Sequence, residues 1–132
     1  MAIEIGLKGK REFNVVESQL ASAVGSGLVS VFATPAMIAE IENTAAESIQ
    51  PHLGEGKTSV GTEVNVKHIA ATPLGMKVTI ETEVIDVAAN GKLRTFKVAA
   101  YDEKDKIGEG THQRAAVDKA KFESKVAEKM GK

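Results

Sequence analysis

Glu42 and His68 are the residues whose types and positions could do chemistry together. A carboxylate and an imidazole in one cleft are the minimum set for general acid–base or nucleophilic hydrolysis. Glu42 lies in "FATPAMIAEIENTAAESIQPHLG", residues 32–54. There Ile38, Ile41, Ala45, Ile49 and Leu53 share one face at about 100° per residue. Glu40 and Glu47 point away from that face, as solvated carboxylates do. Glu42 falls roughly 40° round from Ile38, inside the apolar stripe. A buried carboxylate must be paired, protonated or near water in a cleft, the plainer alternative being an edge-of-stripe glutamate that snorkels out. His68 lies in "TSVGTEVNVKHIAATP", residues 58–73, which alternates as a half-buried strand. Val60, Thr62, Val64, Val66, His68 and Ala70 form one face; Ser59, Gly61, Glu63, Asn65 and Lys67 form the other. A histidine among valines is either a satisfied core residue or a catalyst. An inward glutamate on the one long helix, facing that strand, favours the catalyst.

Other residues are candidates for supporting roles. Thr34 stands before Pro35 and reads as a helix N-cap, although amides at a helix start also favour an oxyanion. Gly61 weakens its strand and marks a place where a ligand can approach the backbone. In "IGEGTHQR", residues 107–114, His112 and Arg114 fall on or beside one strand face. Arg114 is suited to a phosphate or, more plainly, to solvent. His52, after Pro51, reads as exposed and structural. No P-loop, dinucleotide fingerprint or metal-ligand spacing is present, so neither a metal nor a cofactor is expected.

The elements that must position these groups follow from the period. A first strand is expected over "KREFNVVE", residues 10–17, then a small, glycine-punctuated stretch to residue 33, then the helix from Thr34. After it come four alternating segments, interrupted by "TPLG", "ANGK" and "DEKDKIG", which read as turns in an antiparallel meander. "KAKFESKVAEKM" reads as a terminal amphipathic helix through Phe122, Val126 and Met130. One helix among strands gives an α+β class, with the sheet wrapped around the helix. With 132 residues, a single domain over 1–132 is expected. A net charge of −1 with interspersed signs argues against nucleic acid or an anionic membrane as partner. The absence of cysteine removes disulfides and thiolate nucleophiles. The N-terminus "MAIEIGLKGKREF" has no apolar leader pattern and no run is long enough to span a bilayer, so a cytoplasmic protein is expected.

"FATPAMIAEIENTA", "TSVGTEVNVKHIAATPLG" and "IGEGTHQR" together resemble the fluoroacetyl-CoA thioesterase branch of the hotdog thioesterases, over about residues 10–118. The resemblance implies a hotdog fold, hydrolysis of a small acyl-CoA thioester, and a homodimer joined through sheet edges. It needs no cofactor, coenzyme A being part of the substrate. It places Thr34, Glu42 and His68 at the active site and gives the Gly61 amide to the thioester carbonyl. It also matches Arg114 to the coenzyme A phosphates, and leaves Phe32 as the only aromatic of residues 18–33 available to the acyl group. The rival readings are a non-catalytic acyl-CoA-binding protein on the same fold, and a structural domain in which Glu42 and His68 satisfy each other.

Overall fold

The hydrophobic period passes from two to 3.6 and back, and the elements follow it. The structure, a computed structural model, describes residues 5–131; the reading of the N-terminus begins in residues 1–4, outside that range. Strand β1 (Lys8–Asn14) is followed by a 3-10 turn at Glu17–Gln19 and the short helix α1 (Ala21–Val24). Helix α2 (Thr34–Ile49) comes next, then β2 (Lys57–His68), β3 (Lys77–Val87), β4 (Leu93–Tyr101) and β5 (Lys106–Asp118), with helix α3 (Lys119–Ala127) at the end. All strands pair antiparallel, in the order β1-β3-β4-β5-β2. This is the expected α+β class, a sheet curled against one long helix in the hotdog manner. Among the described residues no helix is long and apolar enough to cross a membrane.

The expected meander holds only for β3, β4 and β5. Strand β2 pairs with β5 at the far edge rather than with β3, so residues 69–76 cross between opposite sides of the sheet. Turn chemistry at "TPLG" says that the chain bends, not which strand it meets next. Hydrogen bonds tie the crossing down. The Phe32 amide donates to the Thr72 carbonyl at 2.9 Å, and the Thr72 hydroxyl donates to the Asp102 carboxylate at 2.8 Å.

Helix α2 buries Met37, Ile41, Thr44, Ala45 and Ile49 against Val78, Ile80 and Val84 of β3, Phe96, Val98 and Ala100 of β4, and Ile107 of β5. Gly108 makes room for Met37, whose sulfur would lie 2.8 Å from a Cβ there. The buried stripe is thus rotated towards Met37 and Thr44 relative to the expected one, and Ile38 and Leu53 are only half-buried. Glu40 is also not free in solvent. Arg11 Nε lies 2.9 Å from its carboxylate and Gln19 donates to it at 3.0 Å, leaving its side chain 18% exposed against 39% for Glu42. The rotation leaves Thr34, Ile38 and Glu42, spaced four apart, along the flank that follows the edge strand β2.

Candidate active site

Thr34 does not cap its helix. Ala33 occupies the cap position, no side chain closes it, and Pro35 follows in the first turn, where a missing N–H costs nothing. The Thr34 hydroxyl instead forms a 2.8 Å hydrogen bond with Nδ1 of His68. Phe32 meets the imidazole edge-on, with ring centres 6.3 Å apart. Burial pulls the His68 pKa down, partly offset by the nearby Ala70 backbone, so the ring is neutral near pH 7. Its Nε2 is buried and has no hydrogen-bond partner among the described residues. A neutral imidazole whose Nδ1–H is donated to Thr34 leaves Nε2 bare, the form a proton acceptor takes.

Glu42, on α2, meets a second group of residues farther along the same strand. A register shift between Gly61 and Glu63 places a bulge at Thr62. The extra residue switches the alternation, so Ser59 and Gly61 share the helix-facing side with Val64, Val66 and His68. Uninterrupted alternation had put Gly61 and His68 on opposite faces. A Cβ on Gly61 would come 2.5 Å from Oε2 of Glu42, so the carboxylate lies directly against this glycine. Arg114 Nη1 lies 3.7 Å from the same oxygen, too far for a hydrogen bond but close enough for strong attraction. Arg114 is only 8% exposed. Its Nε donates to the Ser59 hydroxyl at 2.8 Å, its Nη2 to the Ser59 carbonyl at 3.0 Å, and its Nη1 contacts His112 Nε2 at 3.2 Å.

The sequence-expected residues therefore gather in two places within one chain. Thr34, His68 and Phe32 lie at the end of β2; Glu42, Gly61 and Arg114 lie near its middle, with about 20 Å of extended strand between Gly61 and His68. His68 is bonded to Thr34 and Glu42 faces Arg114, so the two do not satisfy each other within the chain and the purely structural reading loses its basis. Two expectations change with burial. Phe32 is 1% exposed and packs on Phe13 and His68, so it supports the imidazole from the core. Arg114 is enclosed and engaged by Ser59, His112 and Glu42, which is not the exposed fork that phosphate capture assumes. Ser59 and His112 escaped assignment because the bulge, invisible in the pattern, brings them beside Glu42. Among the described residues no cluster of three His, Cys, Asp or Glu could hold a metal ion. A cavity of about 730 Å³ lies on the outer sheet face among Lys8, Lys10, Lys67, Lys97 and Glu109, and none of the site residues line it.

Known proteins share this arrangement of elements. The profile of the fluoroacetyl-CoA-specific thioesterase family matches residues 15–120. The fluoroacetyl-CoA thioesterase of Streptantibioticus cattleyicolor is 40% identical over 99 residues, covering 75% of this chain and 70% of that protein. The solved fluoroacetyl-CoA thioesterase FlK superposes with a TM-score of 0.91 at 32% identity, covering 98% of each chain. A thioesterase superfamily member from Thermus thermophilus superposes with a TM-score of 0.89 at 27% identity, covering 98% of this chain and 94% of that one. With this fold, a neutral histidine bonded to a helix-start threonine and a carboxylate on a strand glycine, the chain belongs to the fluoroacetyl-CoA-specific thioesterase family and is a hotdog-fold thioester hydrolase.

Proposed function

We propose that this protein hydrolyses a small acyl-CoA thioester at a site completed between two copies of the chain, with Glu42, His68 and Thr34 as its catalytic residues. The observation that carries the reading is the Thr34–His68 hydrogen bond, formed where a helix cap was expected. The Gly61 amide polarises the thioester carbonyl, and Glu42, already against Gly61, stands beside the carbon to be attacked. Glu42 supplies negative charge, either by attacking that carbon to give an anhydride or by activating water. His68 accepts and returns the proton, Thr34 orients it, and coenzyme A leaves as the thiol. Variants of FlK have been solved with fluoroacetate, with fluoroacetate and CoA, and with acetyl-CoA, which supports an acyl-CoA here.

The need for two copies follows from the separation of the two groups. Strand β2 is a twelve-residue edge with an exposed run from Gly61 to Asn65, and such an edge invites pairing. Thr34 and Glu42 each lie four residues from Ile38, and Gly61 and His68 lie equally far from the Val64–Asn65 bond. A two-fold axis past Ile38 and between Val64 and Asn65 brings Thr34 and His68 of one protomer to the partner's Glu42 and the partner's Gly61. One symmetric contact serves both sites. The experiment is a screen of purified protein against short, branched and aromatic acyl-CoAs, following released thiol. Turnover of short acyl-CoAs is expected; absence of release from every one would leave the non-catalytic binding reading in its place.

A further inference from the structure

We propose that His112 and Arg114 are positioning residues for Glu42: neutral His112, protonated on Nδ1, fixes both the bulge of β2 and the guanidinium that holds the carboxylate. The inference rests on the catalytic reading of Glu42, and it assigns Arg114 to the carboxylate rather than to coenzyme A.

The protonation state follows from the partners. Arginine only donates, so the 3.2 Å contact from Arg114 Nη1 requires Nε2 of His112 to be a bare acceptor. On the other side of the ring, Nδ1 lies 2.8 Å from the Glu63 carbonyl, which only accepts, so Nδ1 carries the hydrogen. Both ring nitrogens are thereby spent, and the ring is fully buried and stacked on Phe96 with centres 5.9 Å apart. Burial is the main influence lowering the His112 pKa; the Glu63 carbonyl raises it, Arg114 lowers it and Glu42 raises it. The groups facing the ring are thus Arg114 on its own strand, Glu42 from α2, the Glu63 carbonyl from β2 and Phe96 from β4. Arg94, opposite Arg114 in register, is turned away to the Gly91 and Lys92 carbonyls of the hairpin.

Each contact has a mechanical result. The Glu63 carbonyl belongs to the bulge that puts Gly61 on the helix side, so His112 pins the irregularity that lets Glu42 in. Ser59 grips Nε and Nη2 of Arg114, and His112 takes one hydrogen of Nη1. Nη1 also lies 3.7 Å from Glu42 Oε2. The carboxylate is held by charge without a hydrogen bond from Arg114, so its lone pairs stay free for the reacting atoms. Removing either support leaves a buried donor or acceptor unmatched and the carboxylate unaimed.

The test combines a spectrum and a substitution series on the full-length protein. Two-bond proton–nitrogen correlation of the histidine rings should show His112 as the neutral Nδ1–H form at pH 7; an Nε2–H or doubly protonated ring would overturn the proposal. His112→Gln keeps one donor and one acceptor at similar spacing, whereas His112→Phe keeps only volume and stacking. With acyl-CoA, Gln should stay within about tenfold of wild-type kcat and Phe should fall by about 100-fold at unchanged KM, the size expected for a misplaced reacting group. Arg114→Met should lower kcat similarly, and Arg114→Lys should recover part of it. Melting curves identify any variant that fails to fold, and the spectrum decides without one. Phe as active as Gln, or Arg114→Met raising KM with kcat intact, would overturn the proposal. Full activity in Glu42→Gln would overturn the catalytic reading of Glu42 beneath it; activity that needs Glu42 but ignores His112 and Arg114 would overturn this proposal alone.

Discussion

His68 and His112 sit on the same side of one sheet, both neutral because burial pulls them down, yet they are used differently. His112 has partners on both nitrogens and no exposure. His68 has Thr34 on one nitrogen and, among the described residues, no partner on the buried other. A buried polar atom without a partner is costly and calls for a reason. Completion by a substrate or a second chain supplies one. Neutrality alone does not mark a catalyst; a spare nitrogen beside an oriented one does.

The largest effects should come from breaking the reacting pair. His68→Ala removes the proposed proton acceptor, and Glu42→Gln keeps the shape of the side chain while removing its charge. Each should lower kcat by about 100-fold or more, with folding intact, in steady-state assays of thiol release. Activity unchanged in either variant would erase the contrast between the two histidines.

A smaller effect separates them by pH. A histidine whose folded pKa is lowered resists a proton that the unfolded chain accepts near 6.5. Below that pH the unfolded state therefore binds more protons, and stability falls; above it the two states bind equally and the contribution vanishes. Denaturant melts should show stability dropping as pH falls below about 6.5, with His112→Gln flattening the slope more than His68→Ala because His112 is the more enclosed. A stability curve level from pH 7 to 5 would contradict the burial account.

The smallest effect belongs to Thr34→Ala. Because its hydroxyl meets His68 rather than the first-turn amides, the loss of about 1 kcal/mol that follows removal of a true cap should be absent. Thermal melting should be unchanged while kcat drops several-fold. Lower stability at full kcat would restore Thr34 to ordinary capping.

Much of this was legible in the sequence, for physical reasons that differ by element. Helix α2 could be read because its period is long and Pro35 marks its start. The inward lean of Glu42 and of His68 was visible as polar residues interrupting apolar faces. The pairing of β2 with β5 was not visible, since a short turn signal carries no information about distant partners. Nor was the bulge at Thr62, which one residue of slip creates and no propensity announces; it hid the shared face of Gly61 and His68. The sequence presents Arg114 as a cation for solvent or phosphate, because burial of an arginine depends on Ser59 and His112, partners that only the register brings beside it.

Glu42 from one protomer and His68 from the other make up each proposed active site, and mixed dimers test that pairing most directly. Glu42→Gln and His68→Ala chains, each inactive alone, are co-refolded in equal amounts and assayed for acyl-CoA hydrolysis. In a mixed dimer, the intact Glu42 of one chain meets the intact His68 of the other, so one site of two is restored. Half the dimers being mixed, recovery of about a quarter of wild-type activity is predicted. No recovery, in a sample shown by light scattering and tagged pull-down to contain mixed dimers, would place both residues of each site in a single chain and contradict the shared site.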